Sequence, residues 1–168
     1  MANATTQQQD DAIATAKQQI IELRMRYAQA TDLIGSGGAQ GLAEGRATYR
    51  QIYTSDASVG ADGIDAVKGP DAWTEVVKDA LESFVATQHH IGSPLIHSLT
   101  LPDVEGKGGK ATLSSYLQAW HSTAENSLYM YLGTYHDECV YSPEHGWQIA
   151  KMHLAKTADE QRDITPRS

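Results

Sequence analysis

Three histidines and one aspartate stand where acid–base chemistry could be done. His89 and His90 are adjacent in TQHHIG, and His121 ends the next long run of strand-forming residues. Adjacent residues on a strand point to opposite faces, so at most one of His89 and His90 faces an internal cavity. In an antiparallel pair the start of one strand lies near the end of its neighbour, so His89 or His90 can meet His121 across the sheet. The intervening PDVEGKGGK is compatible with such a hairpin. Asp32, in YAQATDLI, falls in the last turns of a helix, where a carboxylate opposes the helix dipole. Two roles suit it: a solvated carboxylate beside the glycine turn, or an acceptor that fixes the tautomer of a histidine in a His–Asp dyad. Each histidine taken alone equally suits a satisfied core or interface position.

Tyrosines add polar handles. Tyr131, Gly133, Tyr135 and Asp137 share one parity in a long apolar run, with Tyr129 on the same face nearer its start. Phenols on an inward face suit a pocket that is apolar with a few hydrogen-bonding groups. Tyr116 and Trp120 have the opposite parity to His121 and are expected outside, at a subunit interface. Other chemistries lack their signatures. There is no glycine-rich phosphate loop opening a helix after a strand, no GxSxG elbow and no HExxH. The lone Cys139, mid-strand, suits a small core residue and rules out an internal disulfide and a multi-cysteine metal site.

These groups need elements to hold them. Ile13, Ile20, Leu23, Tyr27 and Ala30 or Thr31 recur at three- and four-residue steps, predicting a helix from about Asp10 that Gly35, Gly37 and Gly38 stop. A second helix is expected over 40–52, then a turn at Thr54–Ser55–Asp56. Short strands at 57–61 and 64–68 flank Asp62–Gly63. Pro70 opens a third helix, about 70–85, with Trp73, Val76, Val77, Ala80, Leu81 and Phe84 on one face. From Gln88 on, β-branched and aromatic runs at about 89–101, 110–123, 127–141 and 147–156 read as antiparallel strands joined by hairpins. Helices first and a strand meander second is the α+β pattern. The expected organisation is a polar, disordered 1–9, one domain over 10–157 and a polar tail over 158–168. One sheet face takes the helices and the other favours an oligomer interface.

A chain of 168 residues buries enough surface for one core without staples. A formal net charge of −8 with no basic cluster leaves no footprint for nucleic acid or an acidic membrane surface. No apolar run is long enough to span a bilayer, and MANATTQQQDDA is not a signal sequence, so a cytoplasmic protein acting on a small molecule or a protein partner is expected.

The layout, with these residues in place, resembles the nuclear-transport-factor-like α+β cone. Within it the chain is similar to the SnoaL-like branch of polyketide cyclases, scytalone dehydratase, bile-acid dehydratase and hexachlorocyclohexane dehydrochlorinase. The matching stretches are Tyr27–Asp32, Val67–Pro70, Thr87–Gly92 and Gly133–Lys151, which together span most of residues 20–155. No single motif is specific; their order and spacing carry the likeness. The resemblance to scytalone dehydratase implies catalytic roles for His89 and His121, with Asp32 orienting the pair. The dehydrochlorinase suggests His90 instead of His89. Tyr27 matches a tyrosine five residues before the aspartate of the bile-acid dehydratase. The two water-holding tyrosines of scytalone dehydratase fall near Thr31 and Ala61, and its asparagine near Asp137, so carbonyl recognition differs here.

What the resemblance implies is a cofactor-independent lyase, with no metal, performing a dehydratase-like β-elimination on a small hydrophobic, cyclic or polyketide-like molecule. His89 is the expected base; Tyr27, Tyr131, Tyr135, Asp137 and His90 are the expected substrate contacts. Two alternatives stand beside it: an isomerase of the ketosteroid-isomerase or polyketide-cyclase kind, and a non-catalytic binding or assembly module. Two histidines and an acid could also ligate a metal, but the resemblance implies an acid–base pair. It allows homodimers and homotrimers alike. A limonene-type epoxide hydrolase needs an arginine among the second-half strands, and none is expected there.

Overall fold

The computed structural model describes residues 2–164, with side chains described from Thr6 onward. Three helices come first: α1 (Ala2–Ser36), α2 (Gly38–Ile52) and, after a hairpin of β1 (Tyr53–Ala61) and β2 (Ile64–Lys68), α3 (Gly69–Leu81). Four long strands follow, β3 (Ala86–Thr100), β4 (Lys110–Ser122), β5 (Ser127–Ser142) and β6 (Gly146–Asp163). They form one six-stranded sheet in the order β2-β1-β6-β5-β4-β3. Only the β1–β6 pair is parallel. The α+β class and the cone of helices on a curved, mainly antiparallel sheet are therefore as expected. None of the helices among the described residues is long and apolar enough to cross a membrane.

α1 buries Ala16, Ile20, Leu23, Tyr27, Ala30 and Ile34 at helical spacing against the sheet. α2 packs on α1 through glycines. A Cβ at Gly41 would sit 2.3 Å from the Leu33 carbonyl oxygen, and one at Gly45 2.7 Å from that of Ala30, so the helices meet backbone to backbone. The strands bend at irregularities between Gly92 and Leu95 and between Leu132 and Gly133, which curl the sheet around the helices. Alternate residues of β4, from Ala111 through Leu113, Ser115, Leu117 and Ala119 to His121, are buried on the concave face. The convex face leaves Tyr116 exposed, as its parity predicts.

Boundaries differ where local signals are weak. α1 begins at Ala2 rather than near Asp10, so the polar stretch expected to be disordered is helical from residue 2. Alanine and glutamine are good helix formers, and the Gln7 amide donates to Asp11 one turn on. The expected turn at Thr54–Asp56 belongs to β1, because Tyr53 leaves α2 already extended. β6 runs through Asp163, so most of the expected tail is a strand paired with the first half of β5; residues 165–168 lie outside the described residues. That extension carries Arg162, so one of the second-half strands does hold an arginine, contrary to expectation. Its guanidinium lies over Trp120, 5.9 Å from the ring centre, away from the concave face.

Candidate active site

α1, α3, the β1–β2 tip and the concave face enclose a cavity of about 250 Å³. Its wall is chiefly apolar, from Ile64, Trp73, Val76, Val77, Leu81, Phe84, Leu117 and Leu154. Polar atoms enter it from His89, His121, Tyr27, Tyr129, Tyr131 and Tyr135. No lysine or arginine among the described residues lines it, and Asp62 at the hairpin tip is its one carboxylate.

His89 and Asp32 meet where α1 packs on β3. The His89 Nδ1 is 2.7 Å from Asp32 Oδ1, and the His89 backbone N–H donates to Oδ2 at 3.2 Å. The two contacts clamp the carboxylate against β3, which offsets the unfavourable helix dipole at Asp32. An ionised carboxylate only accepts, so in the neutral form of His89 the proton sits on Nδ1 and the lone pair on Nε2. The His89 side chain is 8% exposed and Asp32 27%, so the ring is sheltered while the acid keeps contact with water.

His121 joins them by register. β3 and β4 pair Thr87 with His121 and His89 with Ala119. His89 and His121 are therefore diagonal neighbours on one face, with ring centres 5.4 Å apart. His121 stacks on Phe84 at 4.6 Å, and the Thr87 hydroxyl lies 2.8 Å from its Nδ1. Burial, reinforced by His89 and opposed by Asp32, lowers its pKa to about 4, so the ring is neutral at neutral pH. In the unfolded chain it would bind a proton near the ordinary 6.5. Stability from this residue is thus complete above about pH 6.5 and is lost as the pH falls towards 4. Urea denaturation at pH 7 and pH 5 should show a larger loss for the wild type than for His121→Phe, which keeps the stacking but cannot titrate.

Tyr27 and Tyr135 form the floor. Trp73 Nε1 donates to the Tyr27 hydroxyl at 3.3 Å, which leaves the phenol's own proton to donate elsewhere. Burial holds the Tyr135 phenol well above its usual range, so it stays protonated. Thr31 and Ala61, where the resemblance places the missing tyrosines, both border the cavity, and the Thr31 hydroxyl is occupied by Tyr49 at 2.6 Å and the Tyr27 carbonyl at 2.8 Å. Tyr131 lies at the mouth near Asp62, which accepts from the Lys156 backbone and bonds His153 Nε2, each at 2.9 Å.

Two expected substrate contacts are elsewhere. His90 is exposed on the convex face, because β3 alternates and His89 takes the inward side. Asp137 does point inward but is 2% exposed beneath the cavity floor, paired with Arg24. The Arg24 Nε donates to Asp137 Oδ2 at 3.1 Å, and Nη2 donates to Oδ1. The guanidinium lies 4.5 Å from the Tyr27 ring centre and 4.0 Å from that of Tyr135. The sequence held a signal for this pair: an arginine on the apolar stripe of α1 and an acid on the inward parity of β5, each needing the other.

Comparison with known proteins agrees with this architecture. The SnoaL-like domain model matches residues 12–153. No curated protein matches the chain. A candidate scytalone dehydratase from Novosphingobium aromaticivorans is 19% identical with a TM-score of 0.68, covering 95% of this chain and 94% of its own. A type 3 hexachlorocyclohexane dehydrochlorinase from Novosphingobium barchaimii is 13% identical with a TM-score of 0.74, covering 94% of this chain and 99% of its own. A nuclear transport factor 2-like protein from Salmonella enterica is 17% identical with a TM-score of 0.67, covering 87% and 94% respectively. The fold is therefore that of the nuclear-transport-factor-like superfamily, and the chain belongs to the SnoaL-like domain family.

Proposed function

We propose that the protein is a cofactor-independent lyase that removes water from a small, uncharged β-hydroxy carbonyl compound. The observation that carries this reading is the His89–Asp32 contact at 2.7 Å on the wall of an apolar cavity, with the His89 Nε2 lone pair left free. Nε2 takes the acidic proton next to the substrate carbonyl, and Asp32 stabilises the imidazolium that results. His121 and Tyr27 donate hydrogen bonds to the oxygens that gain charge. The absence of lysine and arginine from the lining among the described residues favours an uncharged substrate, since a carboxylate or phosphate would find no cationic side chain there and would face the Asp62 carboxylate. Two solved neighbours are named for eliminations, which favours this class over isomerisation on the same enolate chemistry.

The test is a panel of neutral cyclic β-hydroxy ketones of one and two rings, followed by the ultraviolet absorbance of the enone product. Wild-type protein should form enone, and Asp32→Asn should lower the rate by about 10²-fold. Equal rates for the two proteins, or no turnover across the panel, would refute the reading.

A further inference from the structure

We infer that Thr87 is a positioning residue that holds His121 in the Nε2–H tautomer, making His121 a neutral hydrogen-bond donor to the substrate. The inference rests on the proposed elimination for its use, and on hydrogen-bond accounting for its content. The Thr87 hydroxyl has two imidazole neighbours, His121 Nδ1 at 2.8 Å and His89 Nδ1 at 3.4 Å. His89 Nδ1 cannot accept from it, because that nitrogen carries the proton directed at Asp32. The hydroxyl proton is thus left with one acceptor of the two, His121 Nδ1. A nitrogen that accepts there is unprotonated, so the ring's proton sits on Nε2.

Position supports the assignment. Thr87 and His121 are direct partners in the β3–β4 register, so the contact is built into the sheet. Phe84 at 4.6 Å and Tyr129 at 5.8 Å stack on the His121 ring and hold its plane. Among the described residues no carboxylate bonds His121, in contrast to His89, so the two histidines receive opposite tautomers from their different partners. His89 exposes a lone pair and His121 exposes an N–H.

The division has a consequence for proton bookkeeping. A neutral imidazole does not give up its last N–H at neutral pH, so His121 donates a hydrogen bond without transferring the proton. The proton that His89 Nε2 takes from carbon leaves an enolate. The enolate electrons form the carbon–carbon double bond as the β carbon–oxygen bond breaks, and the His89 imidazolium returns its proton to the departing hydroxyl as water. His89 ends neutral, and His121 and Thr87 end unchanged.

The test reads the tautomer directly, by long-range ¹H–¹⁵N correlation of the His121 ring in the full chain at neutral pH. The wild type should show Nε2 protonated and Nδ1 bare. Thr87→Val, which removes the hydroxyl at nearly constant shape, should lower the Nε2–H to Nδ1–H ratio about tenfold, the worth of one hydrogen bond. Thr87→Ser should restore it, and Thr87→Ala gives the same readout if the valine variant does not fold. The kcat on a β-hydroxy ketone should follow the ratio, with KM changed less. Nδ1–H in the wild type, or a ratio unmoved by loss of the hydroxyl, overturns the assignment. The spectrum needs no substrate, so these outcomes are distinct from a failure of the elimination reading, which would appear as an intact tautomer without turnover.

Discussion

Replacing His89 by glutamine is expected to lower turnover by about 10²–10⁴-fold while leaving the thermal transition close to that of the wild type. Glutamine keeps the backbone N–H that donates to Asp32 Oδ2. Its amide can donate to Asp32 Oδ1 in place of the imidazole, so the acid is not left alone. What it lacks is a lone pair basic enough to take a proton from carbon. The variant therefore separates chemistry from packing. His90→Gln is the matched control: it lies on the convex face and should leave turnover within about twofold. Steady-state rates and melting curves on the three proteins check both statements.

The largest effect on stability should come from the buried ion pair. Arg24→Met leaves the Asp137 carboxylate enclosed without its cation and is expected to destabilise the protein by about 3–5 kcal/mol. That is a large share of the roughly 5–15 kcal/mol by which domains are stable. The double variant Arg24→Met with Asp137→Leu removes both charges and should recover most of the loss. Arg24 has one reason to persist beyond balancing Asp137: its guanidinium lies on the rings of Tyr27 and Tyr135, which border the cavity. Urea denaturation of the single and double variants measures the pair. A single variant as stable as the wild type would mean that Asp137 accepts protonation or water in place of arginine.

The parts legible in the sequence were those with a local period. The stripe of Ile20, Leu23, Tyr27 and Ala30 marked α1 and its buried face, and the four β-rich runs marked β3 to β6. The turn chemistry at Asp62–Gly63 and Gly69–Pro70 placed β1, β2 and α3. Asp32, His89 and His121 were found by residue type and by resemblance, and strand geometry brings the three together.

What escaped depended on contacts with no local trace. The Arg24–Asp137 pair joins residues 113 apart in the chain, and Asp137 alone looked like an inward polar handle. The end of β6 is polar in every residue from Thr157 to Asp163 except Ala158, so nothing in its pattern marked a strand; backbone pairing with β5 defines it. Thr87 sat inside a noted motif, yet its role depends on which β4 residue lies opposite, and a shift of one residue would have placed Trp120 or Ser122 there instead.

The central claim, that His89 removes a proton from carbon, is tested most directly by hydrogen–deuterium exchange next to the carbonyl of a neutral cyclic ketone in D₂O, followed by NMR. Exchange isolates proton abstraction from whatever step comes after it. The account predicts exchange catalysed by the wild type and reduced about 10²–10⁴-fold in His89→Gln. Exchange that continues undiminished in His89→Gln would contradict it.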